Sequence, residues 1–156
     1  MEEKRTLKKV IIASIVLLSF ATNINAQNFT LKSGPYIRVG AGYYADVNLG
    51  VGYTFPFRLS VGAEATTWSM FCGFGGDVDL RYRFLDKQFS PFIDAKIGYG
   101  LLGKTREYQN YYDLFYSAMV GVSWRQLDLG VGIAYDYYYK VWPVVNLSYT
   151  FVFGKK

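Results

Sequence analysis

The chain has 156 residues, with 17 Lys or Arg against 12 Asp or Glu, one cysteine and no histidine. That length suits a single domain, a lone Cys72 cannot close an internal disulfide, and the missing histidine removes both the usual base of hydrolytic catalysis and the commonest metal ligand.

The first element in chain order reads as an export signal. Lys4, Arg5, Lys8 and Lys9 precede an apolar run from Val10 to Ala21, and the small-residue exit Ile24-Asn25-Ala26 places cleavage before Gln27. Residues 1–26 are thus expected to be removed, leaving 27–156 as the mature domain. The run is about a dozen residues, whereas a spanning helix needs roughly 20. A lipoprotein signal would need a cysteine just after the run, and none stands there. Four basic and two acidic residues lie before Gln27, so the mature chain carries +3 with no clustered basic patch, and no nucleic-acid partner is expected.

Eight strand-length segments follow, at 36–44, 46–54, 58–68, 76–85, 91–101, 114–125, 127–138 and 144–153. Each alternates with a period of two, the mark of a strand with a different environment on each face. Pro56, Gly73, Gly75 and Pro143 fall in the gaps and read as turn formers. No stretch has a helical period, and no shift in composition marks a second domain.

Sorting the faces separates the chemistry. One face collects 38 positions, from Ile37, Val39, Ala41 and Tyr43 through to Val145, Leu147, Tyr149, Phe151 and Phe153, without a single charge. At the chain's 19% charged composition about seven would be expected. The opposite face takes every charge within the segments: Arg38, Arg58, Arg81, Arg83, Lys96 and Arg125, balanced by Glu64, Asp77, Asp79, Asp94, Asp128 and Asp136. It also holds the glycine pairs Gly40/Gly42, Gly50/Gly52, Gly98/Gly100 and Gly130/Gly132.

Two closed sheets fit this alternation. A soluble, lipocalin-like barrel puts the apolar face inside as a ligand cavity; a transmembrane barrel puts it in lipid. Three features favour the second. Glycine pairs weaken a water-facing strand, but in the narrow lumen of eight strands they leave room for long arginine and aspartate side chains. Balanced charges suit ion pairing in a low-dielectric interior. Aromatics sit near both ends of the apolar face, as Tyr53, Tyr82, Phe84, Trp124, Phe151 and Phe153 at one rim and Tyr43, Tyr99, Tyr116, Tyr135 and Tyr137 at the other, which are the girdles of two membrane interfaces. The expected fold is all-β, a closed eight-stranded antiparallel up-and-down transmembrane barrel.

An even strand number puts both termini on one side, the periplasm for an exported barrel. The connections 55–57, 86–90 and Gln126 then form short periplasmic turns, while 44–46, 69–75, 102–113 and 139–143 face outward. Lys104, Arg106, Tyr108, Tyr111, Tyr112, Tyr139, Lys140 and Trp142 would form an aromatic, partly basic external rim, suited to sugars, lipid A phosphates or protein partners. The same residues are also what a membrane interface by itself selects.

The signal ending Asn-Ile-Asn-Ala-Gln, the Gly-x-Gly pairs, the stretch Pro91-Phe92-Ile93-Asp94-Ala95-Lys96-Ile97-Gly98-Tyr99-Gly100 and the closing Leu147-Ser148-Tyr149-Thr150-Phe151 resemble small eight-stranded outer-membrane β-barrel proteins, porin-like barrels of the OmpA-like and OmpX-like kind, in the form met in Bacteroidetes. The resemblance covers the mature chain and rests on pattern. It implies residence in the Gram-negative outer membrane, contact with membrane lipids and lipopolysaccharide, and insertion by the barrel-assembly machinery, which reads a last strand of alternating aromatics ending in Phe. Here Gly154-Lys155-Lys156 follow Phe153, a departure from that ending. Outer-membrane barrels that are enzymes resemble one another in using a rim histidine, which this chain lacks. Glu64, Asp77 and Asp79 would pair with Arg38, Arg81 and Arg83 rather than act as a hydrolytic set. The expectation is therefore a monomeric, non-enzymatic barrel without a cofactor, its lumen filled by side chains, with a structural or surface-interaction role through its loops. The alternatives are a narrow channel or small-solute binder using the glycine-lined gaps, and a soluble periplasmic ligand binder.

Overall fold

A computed structural model describes residues 32–68, 73–103, 111–136 and 140–154. The expected signal peptide, Cys72, Lys104, Arg106, Tyr108 and Tyr139 lie outside these residues. Eight strands follow in order: β1 (Gly34–Tyr43), β2 (Ala45–Thr54), β3 (Leu59–Trp68), β4 (Gly73–Arg83), β5 (Phe89–Gly103), β6 (Tyr111–Trp124), β7 (Leu127–Asp136) and β8 (Lys140–Val152). Each pairs antiparallel with the next, and β8 closes on β1 through a ladder from Tyr36↔Val152 to Tyr43↔Val145. The result is a closed up-and-down barrel, which leaves no unpaired sheet edge.

The two faces divide as the alternation requires. Val39, Leu49, Val51, Val78, Val120, Val131, Ile133 and Leu147 lie on the exposed outer wall, Val51 at 59% exposure. Arg38, Asp79, Arg81, Asp94, Asp128 and Asp136 are each at most 2% exposed in the centre. A soluble barrel has the reverse arrangement, with apolar side chains inside.

Several boundaries differ from expectation, mostly at the end opposite the termini. Gly73 and Gly75 are not in a turn but in β4, paired with Trp68 and Thr66. Pro143 is also inside a strand, opposite Ile133. Pairing between β8 and β1 has already ended at Val145, so the missing N–H of Pro143 disturbs one ladder at most. The β5–β6 hairpin reaches further than expected, through Leu101↔Tyr112 to Gly103↔Tyr111, with a register shift between Leu101 and Gly103. Leu101 keeps its place in the outer row between Phe74 and Tyr112, both exposed, but is itself covered, at 9% exposure.

At the other end the connections are tight. The β2–β3 turn is closed by Phe55 N–H donating to Leu59 O at 2.7 Å and Arg58 N–H to Phe55 O at 3.1 Å. Arg58 and Arg125 take φ of 69° and 59° in the β2–β3 and β6–β7 turns, a left-handed backbone that is uncommon outside glycine.

Candidate functional site

The lumen side chains come from all eight strands and form two joined clusters. In the first, Arg38 of β1 donates through Nη1 to Glu64 Oε1 at 2.9 Å and to Asp79 Oδ2 at 2.7 Å. Asn48 Nδ2 donates to Glu64 Oε2 at 3.0 Å, and Lys96 Nζ pairs with the same oxygen. In the second, Arg81 of β4 donates to Asp94 Oδ2 through Nε at 3.0 Å and Nη2 at 2.5 Å, and to Asp128 Oδ2 through Nη1 at 2.6 Å. Arg83 Nη2 reaches Asp128 Oδ1 at 3.0 Å. Thr150 joins the two, accepting from Arg38 Nε at 3.2 Å and donating to Asp128 Oδ2 at 3.2 Å. Charges this deeply buried persist only when paired and hydrogen-bonded, and these are.

The expected set of twelve loses two members. Arg58 and Arg125 lie in the turns, not the lumen: Arg58 donates to Phe84 O at 2.6 Å with its guanidinium 5.9 Å from the Tyr82 ring centre, and Arg125 lies 5.9 Å from the Trp124 ring centre. Both come directly at the end of an alternating segment, where the turn backbone, not strand parity, sets the side-chain direction. The balance of six against six therefore does not hold. Among the described residues four lumen cations face six carboxylates.

The glycines have a more specific purpose than making space for ion pairs. Tyr36, Gly52, Gly62 and Asp79 form one row across β1 to β4. The Tyr36 ring lies over the two glycines, so a Cβ added at Gly62 would stand 2.1 Å from its hydroxyl. The hydroxyl donates to Asp79 Oδ1 at 3.3 Å, and the ring lies 4.8 Å from the Arg38 guanidinium. A second row, Phe92, Gly121 and Gly130, repeats the device. The Phe92 ring sits where a Cβ at Gly121 would be, 2.6 Å from its nearest ring atom, and 4.6 Å beneath Arg81. In the third, Phe115 covers Gly98, with 2.2 Å to a built Cβ. Each central arginine thus rests on an aromatic face, a favourable contact in a desolvated site, and each such ring is seated on glycine.

Tyr36, Phe92, Phe115, Met119 and Tyr44 were not singled out in the sequence. The signal was there in part: the first four stand at inward-facing parity, but only the register shows that glycines lie beside the rings. Toward the end opposite the termini the lumen turns apolar, with Met119, Ala134 and Val144 packed together and Tyr44 against them. Tyr44, at φ 78° between β1 and β2, donates to Asp136 Oδ2 at 3.1 Å. Beneath this cap a cavity of about 20 Å³ is bordered by Asp77, Thr66, Lys96 and Asn146, room for roughly one water. Asp77 Oδ2 accepts from Thr66 at 2.9 Å, whereas its Oδ1 has no hydrogen-bond partner and lies 4.0 Å from Lys96 Nζ.

Of the external rim, Tyr112 is exposed and stacks on Tyr99 at 6.2 Å, and Trp142 is half-buried in β8. Tyr111 and Lys140 begin β6 and β8, paired with Gly103 and Asp136. Among the described residues no group of three or more His, Cys, Asp or Glu is placed to hold a metal ion.

No protein-family model matches this chain, and no curated protein matches it either. Among solved structures, the N-terminal β-barrel domain of Pseudomonas aeruginosa OprF is similar, with a TM-score of 0.54 and 12% sequence identity over 77% of this chain and 100% of that one. At this identity the likeness is one of fold, the closed eight-stranded barrel.

Proposed function

We propose that this protein is a non-enzymatic outer-membrane barrel whose lumen is closed by its own side chains and whose role is structural or surface-presenting. The observation that carries the reading is its inverted build: an exposed, uncharged wall around a centre of paired arginines and carboxylates. In water that wall would be an aggregation surface of far more than a few hundred Å², whereas in lipid it is the solvated face. The likeness of fold to the OprF barrel domain supports the barrel part of this reading. Export follows through residues 1–26, and the tight turns at the end with the termini face the periplasm. The resemblance to small Bacteroidetes barrels fits, as does contact of the rim with lipopolysaccharide.

Fractionation tests the membrane reading: the protein should stay with outer membranes, start at Gln27 by intact mass, and migrate differently with and without boiling. Recovery in the soluble periplasm would refute it. In planar bilayers a closed lumen gives no stable large-conductance steps, and such steps would refute the filled interior while leaving the membrane reading standing.

A further inference from the structure

The outer wall is not evenly filled. Ala95 of β5 and Ala118 of β6 stand opposite each other, and the register continues their row to Leu80 on one side and Ile133 on the other. The small pair leaves an apolar groove of about 390 Å³, within the ~300–1,000 Å³ range of small-molecule sites. Its other edge is the row Leu59, Tyr82, Ile93 and Val120. Leu59 opens β3 at the turn end of the barrel, while Ile133 lies nearer the far end of β7. Since barrel strands tilt about 35–45° from the axis, the groove rises obliquely from the turn-side rim toward the middle of the wall.

A cation stands at its lower end. Arg58 immediately precedes Leu59, and its guanidinium lies 5.9 Å from the ring centre of Tyr82, itself part of the groove wall. The arginine is held there from three sides: its N–H donates to Phe55 O at 3.1 Å, its carbonyl accepts from Arg83 N–H at 3.0 Å, and Nη1 donates to Phe84 O at 2.6 Å. The left-handed φ of 69° is a conformation that costs an arginine strain and that its surroundings impose. A hydrocarbon slot ending at a guanidinium is complementary to an acyl chain ending at a phosphate. Among the described residues, the outer strand faces of a second copy bring no charge to match that guanidinium.

We propose that this groove binds one glycerophospholipid of the periplasmic leaflet, an acyl chain lying along Ala95 and Ala118 and its phosphate on Arg58. The proposal rests on the membrane reading above. The test compares the wild-type barrel, Arg58→Gln and the double variant Ala95→Leu/Ala118→Leu, each purified in non-ionic detergent and titrated with phosphatidylglycerol under native mass spectrometry. The wild type should retain one lipid, and each variant should bind about tenfold more weakly, equivalent to ~1.4 kcal/mol, while keeping its heat-modifiable migration. Arg58→Lys should fall between, since a point charge lacks the forked donor geometry.

Equal retention by all variants would overturn the site and leave only non-selective annular lipid. Dimer masses that vanish in Ala95→Leu/Ala118→Leu with lipid binding unchanged would overturn it in favour of a second copy. A wild-type protein absent from membrane fractions would overturn the membrane reading and the site together; one that fractionates correctly but ignores the substitutions overturns the site alone.

Discussion

The two ends of the lumen solve the same burial problem differently. Near the turns, Arg81, Arg83, Asp94 and Asp128 form a network in which each arginine reaches carboxylate and ring or backbone together. Toward the other end, beyond the Lys96–Glu64 pair, ionic contact thins to Lys96 and Asp77, separated by 4.0 Å, and Phe115, Met119, Ala134 and Val144 take over the filling. The difference shows that charge in the barrel is concentrated where donors and acceptors can be matched nearly one for one. Where they cannot, the chain substitutes apolar volume.

The largest effect should come from breaking the matched end. Arg81→Leu removes three hydrogen bonds and strands Asp94 without its arginine, while Asp128 keeps Arg83 and the Thr150 hydroxyl. Leaving buried charges without their partner costs about 3–5 kcal/mol. Urea unfolding from lipid vesicles, followed by tryptophan fluorescence, should show that loss. A cost under about 1 kcal/mol would mean that the ion pairs are not what holds this end together.

At the apolar end, Phe115→Ala should cost about 3 kcal/mol or slightly more, the usual range for deleting a buried aromatic. Phe115 is 3% exposed and its ring occupies the space over Gly98. The same unfolding assay reads it, and a bilayer recording gives a second readout. Should the cavity opened above Asp77 and Asp136 admit ions, the excess of six carboxylates over four cations predicts preference for cations. Anion preference would contradict the charge count.

A middle-sized effect tests the seat of the rings. Gly62→Ala places a Cβ 2.1 Å from the Tyr36 hydroxyl and 2.5 Å from Asp79 Oδ1, an overpacking worth about 1–3 kcal/mol. Tyr36→Phe removes the first obstacle, so the double variant should cost less than the sum of the two singles. Strict additivity would show that ring and glycine are not coupled.

How much of this could be read from the sequence depends on whether one strand or several had to be known. Strand parity alone separates Val39 from Arg38 and Leu80 from Arg81, because a two-residue period needs no partner. It also carries eight strands and closure. It fails where parity ends. Arg58 and Arg125 follow the alternation but belong to turns. The β5–β6 extension with Tyr111, Tyr112 and Asp113 is not legible in the sequence, because no uniform lipid face imposes alternation there. The pairing of Tyr36 with Gly52 and Gly62, or of Phe92 with Gly121 and Gly130, is invisible until strands are set in register, since each row draws on three strands.

The smallest expected effect is at Asp77, and it separates the two ends most sharply. Asp77 is 5% exposed, so burial alone would rank it with Asp94 and Asp128. Its bonding does not. Oδ1 has no hydrogen bond, a lack that Asp94 Oδ1 shares. But Asp77 Oδ2 is bound by a neutral hydroxyl from Thr66, where Asp94 Oδ2 takes two Arg81 donors. Lys96 has its closer partner in Glu64. Asp77→Asn keeps the oxygen that Thr66 donates to and leaves Lys96 paired, while relieving one of the six lumen carboxylates of its desolvated charge. Removal of a charge with no full partner is nearly neutral or favourable, so the substitution should change stability by less than about 1 kcal/mol. Asp94→Asn, equally buried and equally conservative, removes the charge that Arg81 grips with two donors and should cost about 2–3 kcal/mol more. Equal losses for the two in side-by-side urea titrations would mean that burial, rather than pairing, sets the cost throughout the lumen, and the contrast between its ends would have no energetic content.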